Sequence, residues 1–132
     1  MFLFKLNDEE KLVFLELAHY VARSDGSFSE KEEFIINQYC AEMQIGNIKF
    51  DKESFDVDKS LSKISSNESQ KIFLLEIMVL MHCDNYLHCE EKKVLDVMVE
   101  RFNISPSLNI IYEEWAKSIV ALYVQGQALI TL

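Results

Sequence analysis

The sequence predicts an all-α fold, a single-domain helical bundle of about six to seven helices built from two repeated helical hairpins. Three observations predict it. The 132 residues include one proline and three glycines, too few for the turns of a sandwich or barrel. Apolar residues recur at helical spacing, giving each segment one apolar face. Residues 7–46 also lie over residues 66–105 at a constant offset of 59, without a gap.

The first helix begins near Asn7 or Asp8, where Asn7 and Glu10 have the spacing of a capping box. Leu6, Val13, Leu17 and Val21, with Phe14 and Ala18, form its stripe. It stops at Ser24-Asp25-Gly26, an Asp-Gly turn. Ser29 and Glu32 form a second capping box. Phe34, Ile35, Ile36, Tyr39, Cys40 and Met43 follow, and Gly46 closes that helix. After a connector, Val57, Leu61 and Ile64 mark a short third helix. Asn67 is the expected cap of a fourth, running to about Cys83. A fifth starts near His88 or Cys89 and reaches Phe102. Ser105-Pro106 then opens a long last helix over about 106–130. Its stripe is Leu108, Ile111, Tyr112, Trp115, Ile119, Leu122 and Tyr123.

The repeat keeps both chemistry and pattern. Glu9, Phe14, Leu15, Asp25, Glu32 and Ile45 match Glu68, Phe73, Leu74, Asp84, Glu91 and Ile104. Apolar positions match in class, as Val13 with Ile72, Val21 with Leu80 and Ile36 with Leu95. Both hairpin turns share one order: an Asp, an apolar residue three later, a Glu seven later. The first turn uses Asp25, Phe28 and Glu32, and the second Asp84, Leu87 and Glu91.

Charge limits the partners. The net charge is −9, which repels nucleic acid and anionic lipid in the absence of a basic patch. Cations and basic protein surfaces suit it better. Met1–Leu6 and Ile119–Val124 are apolar but too short to span a membrane. Cys40, Cys83 and Cys89 form no disulfide framework, and their odd number suits a reducing cytoplasm. No Gly-rich phosphate loop, nucleophile elbow or zinc-protease helix is present, so no enzymatic activity is expected.

At the first turn, VARSDGSFSEKEEFII resembles the signature of the TerB-like (tellurite resistance protein B) domain family. Ala22, Asp25, Gly26, Phe28, Ser29, Glu32 and Ile35 carry the resemblance. The second copy, LMHCDNYLHCEEKKVL, keeps Asp84, Leu87, Glu91 and Val94, with Asn85 in place of the glycine. The resemblance implies an all-helical fold and a metal ion bound at the acidic turns. It also implies a cytoplasmic stress-response role beside membrane-associated or chaperone partners, without catalysis.

Two readings of Asp25, Glu32, Asp84 and Glu91 stay open. A carboxylate at a helix C-terminus faces the negative end of the helix dipole and calls for a cation or lysine. Asp and Glu oxygens with exposed carbonyls suit Ca²⁺ or Mg²⁺. Zn²⁺ on His82, Cys83, His88 and Cys89 is less favoured, because the first hairpin lacks those residues. Alternatively, Asp25 shapes its turn and Glu32 completes the Ser29 capping box. At the second turn His88 replaces Ser29, so Glu91 lacks that explanation. His19 has no evident partner and is expected at a helix surface or helix contact. Met78, Met81 and Met98 are expected in the core.

Overall fold

The computed structural model describes residues 1–24, 26, 28–83 and 89–132, and of these all side chains except those of residues 89–91. A 3₁₀ turn, Leu3–Lys5, precedes six helices: α1 (Asp8–Ala22), α2 (Glu30–Met43), α3 (Val57–Leu61), α4 (Asn67–His82), α5 (Cys89–Arg101) and α6 (Pro106–Ile130). No strand occurs among the described residues.

Capping fixes the helix starts. Asn7 Oδ1 accepts the Glu10 N–H at 2.8 Å, and Glu10 Oε1 accepts the Asn7 N–H at 2.9 Å. Ser29 and Glu32 repeat the arrangement at α2. Two further caps are Asp56 before α3 and Ser105 before α6. The α4 cap is Ser66, not Asn67, which is the first residue of the helix. Ser66 is the repeat partner of Asn7, so the two hairpins are capped at the same position.

The helix ends correct the sequence reading. Gly46 does not close α2. The chain leaves it through Gln44 at φ 58°, and leaves α5 through Asn103 at φ 54°. These are the non-glycine residues with positive φ among those described, and they are repeat partners. Each is followed by an isoleucine whose N–H reaches back to the last turn, Ile45 to Cys40 O at 3.1 Å and Ile104 to Val99 O at 3.0 Å. Both are Schellman endings. Gly26 sits at φ 84°, the left-handed region that favours glycine, just after the first hairpin's helix.

The core lies where the two hairpins face each other. α4 packs on α1, α5 and α6, and α1 also packs on α2 and α3. Phe14, Leu15, Leu17, Ile36, Phe73, Leu74, Ile77 and Met98 are fully buried. Met78 and Met81 join them as core filler. The 3₁₀ turn adds Leu3, buried against the core although the apolar start announced no element.

α6 departs from its expected role. Ala116 is its one fully buried residue. Ile111 and Leu122, placed on the inner stripe by spacing, are 62 % and 61 % exposed. Helical period identifies the residues that share a face, but it does not say what covers that face. α6 is continuous through Gly126. No helix among the described residues is long and apolar enough to cross a membrane.

Candidate functional site

The turn end of the molecule is built by the starts and ends of hairpin helices. Ser29 Oγ accepts the Glu32 N–H at 3.1 Å, while Glu32 Oε1 accepts the Ser29 N–H at 3.1 Å and its hydroxyl at 2.9 Å. Glu32 is therefore buried and committed through Oε1 to its capping box. Asp25 and Asp84 lie outside the described residues. The Glu91 backbone belongs to α5, but its side chain lies outside the description too, as do His88 and the Cys89 side chain.

One contact joins the hairpins here. The Lys31 ammonium donates to the backbone carbonyl of Cys83. Lys31 precedes Glu32 in sequence, and Cys83 precedes Asp84. The start of α2 and the end of α4 thus meet, with a positive charge set on a carbonyl that ends α4. That is where the helix dipole favours a cation. Among the described residues no group of three or more His, Cys, Asp or Glu is placed to hold a metal ion.

Beside this end, His19 is buried rather than on the surface. Its ring stacks on Phe50, with centroids 5.8 Å apart and planes 10° from parallel. Its Nε2 meets Asn47 Oδ1 at 2.8 Å. Asn47 Oδ1 also accepts the Ile48 N–H, so the oxygen is the acceptor and His19 Nε2 carries the proton. Nδ1 is buried with no hydrogen-bond partner among the described residues. Burial lowers the His19 pKa, and the nearby Arg23 charge adds to this against the Asn47 hydrogen bond. The Arg23 guanidinium itself covers the Phe28 ring at 4.0 Å, a cation–π contact.

From the Lys31–Cys83 contact a groove of about 350 Å³ runs between α2 and α6, floored by α4. Phe34, Ile35 and Gln38 line it from α2, Val79 from α4, and Ile119, Val120, Tyr123 and Val124 from α6. At the far end stand Met1, Glu42 and Glu76. The Met1 ammonium lies 2.9 Å from Glu76 Oε1 and 3.0 Å from Glu42 Oε1. Glu76 Oε1 also accepts the Phe2 N–H at 2.9 Å. Burial alone opposes the charged amine, but the hydrogen bonds and charges of Glu76 and then Glu42 prevail and raise its pKa. Beneath them Tyr39 donates to the Glu76 carbonyl, its phenol kept neutral chiefly by burial.

Sequence reasoning missed Glu76. The repeat held the signal, because Glu76 stands opposite Leu17. A carboxylate at a core position needs a counter-charge. The groove was missed because both its walls read as buried stripes.

Compared with models of known protein families, with curated proteins and with solved structures, the chain matches none.

Proposed function

We propose that the chain is a helical protein-interaction module of the TerB-like kind, which docks an apolar segment in the groove between α2 and α6. The observation that carries this reading is the groove itself. Its walls are apolar side chains from two helices that do not close on each other, and Phe34 and Tyr123 on its rims are each 57 % exposed. Apolar grooves of this shape take amphipathic helices.

The test uses methyl-labelled protein and a synthetic amphipathic helix with a leucine stripe and lysines opposite. Shifts concentrated at Ile35, Val79, Ile119 and Val120, weakened about tenfold or more by Phe34→Glu, support docking. Shifts spread evenly over the molecule, or indifferent to Phe34→Glu, overturn it.

A second reading adds a divalent cation, Ca²⁺ or Mg²⁺, at Asp25, Glu32, Asp84 and Glu91, as the resemblance implies. The chemistry of four carboxylates at two helix turns supports it, although the Lys31 ammonium already supplies a positive charge at the Cys83 carbonyl. On this reading the module serves a stress response in the cytoplasm, and ion binding adjusts partner contact. Millimolar Ca²⁺ or Mg²⁺ then raises the melting temperature by linkage, and Asp25→Asn with Asp84→Asn abolishes the rise. A wild type whose melting ignores both ions removes the cation.

A further inference from the structure

Lys117 is the last charged side chain before a run of fifteen uncharged residues, Ser118–Leu132. Charged residues make up 27 % of the chain, so about four are expected in a run of that length. The run is the second half of α6, and its apolar side chains face solvent. Leu122, Leu129 and Ile130 are 61 %, 67 % and 84 % exposed. With the exposed parts of Phe34, Tyr123 and Val124, these side chains offer roughly several hundred Å² of apolar surface on and beside α6. It is of the order of the ~800 Å² that each partner contributes to a stable interface, and at or above the largest patch of an ordinary monomer.

We propose that the groove is filled by a second copy of this chain, the α6 end of each copy lying in the groove of the other. The proposal rests on the reading of the groove as a docking site. The same helix is both wall and plug: Ile119, Val120, Tyr123 and Val124 line the groove from α6, and the tip beyond Gln127 runs past it. A two-fold axis beside α6 lets each copy offer ridge and groove at once, so the contact closes at two chains.

Charge selects the occupant. Two chains of net charge −9 repel wherever their carboxylates approach. No side chain from Ser118 to Leu132 is charged, so on this part of α6 they meet without like-charged side chains. In the groove the carboxylates of Glu42 and Glu76 are paired with the Met1 ammonium. A bilayer surface fits less well. Helices that lie in a lipid interface carry Lys or Arg on the polar face, and this segment offers Ser118, Gln125, Gln127 and Thr131 instead.

Sedimentation equilibrium of the full chain, from about one to several hundred micromolar, tests the proposal. The wild type is expected to pass reversibly from monomer to dimer. Tyr123→Glu and Leu129→Glu alter exposed side chains, so the helical circular dichroism stays unchanged, and each is expected to weaken the dimer about 30-fold or more. A wild type that stays monomeric overturns the proposal, as does a dimer insensitive to both substitutions. If that monomer still shifts its groove methyls with the leucine-stripe peptide, self-association alone has failed. If those shifts are absent too, the docking reading fails with it. A monomer that floats with phosphatidylcholine–phosphatidylglycerol vesicles, and loses flotation on Leu129→Glu, assigns the helix end to a bilayer and overturns the second copy.

Discussion

Phe14 and Phe73 occupy the same position in the two repeats and pack on each other, edge to face, with centroids 5.3 Å apart and planes at 83°. Both are fully buried. Equivalent residues of the two repeats thus meet where α1 packs on α4. Either ring truncated to alanine should lower stability by about 3–5 kcal/mol. In a double-mutant cycle of Phe14→Leu and Phe73→Leu, the losses should fall short of additivity by about 0.5–1.5 kcal/mol. Urea unfolding of the four proteins measures this, and strict additivity would show that the rings do not meet.

Gln44 and Asn103 hold matching left-handed positions. Asparagine tolerates that region better than glutamine, whose longer side chain gains no local hydrogen bond there. Gln44→Gly should therefore stabilise the chain by up to about 1 kcal/mol, and Asn103→Gly by less. Thermal melts of both variants check the order. Destabilisation by Gln44→Gly contradicts the helix ending described here.

The Met1–Glu76 pair makes stability depend on the amine. Its folded pKa is raised above the ordinary 8.0. The stabilisation is thus fully present below about pH 8 and is lost as pH climbs through the higher folded value. Acetylating the amine leaves the Glu76 carboxylate buried without its main counter-charge. After solvent screening of the half-exposed amine, the loss is about 1–2 kcal/mol. Unfolding free energies between pH 7 and 10 should fall for the wild type and fall less for Glu76→Gln. Equal slopes would remove the pair from the account.

His19 acts on the acid side. Its folded pKa is lowered from 6.5 by burial first, with Arg23 adding and the Asn47 bond opposing. Its contribution is complete above the unfolded value and is lost as pH falls towards the folded one. His82 is lowered too, by burial against the pull of Glu113, so it steepens the same limb. His19→Phe keeps a ring against Phe50 and cannot be protonated. Denaturation followed from pH 7 to 5 should show a shallower decline for this variant, and an unchanged decline would place the effect elsewhere.

Helix starts were legible because caps are local: Asn7, Ser29 and Ser105 act on N–H groups two or three residues away. Asn67 was expected to cap α4, but Ser66, the repeat partner of Asn7, caps it. Helix ends were less legible. Gly46 is the residue type that stops helices, yet the chain turned earlier at Gln44, where the Ile45 side chain packs against the core. The burial of His19 depends on Asn47 and Phe50 in a connector without periodic pattern. The partner of Glu76 lies 75 residues away, beyond any motif. Of the four acidic candidates, Glu32 was legible as a capping residue, and its Oε1 has that role.

A folded chain has one α-amino group, whereas a repeat of offset 59 offers two equivalent positions to receive it. Leu17 and Glu76 divide those places between them. An acid at both would leave one carboxylate stranded in the interior, and leucine at both would leave the ammonium without its main partner. The halves therefore cannot be made identical at this position without a loss of stability. The amine marks one of them, so substitutions around Leu17 and around Glu76 meet different neighbours.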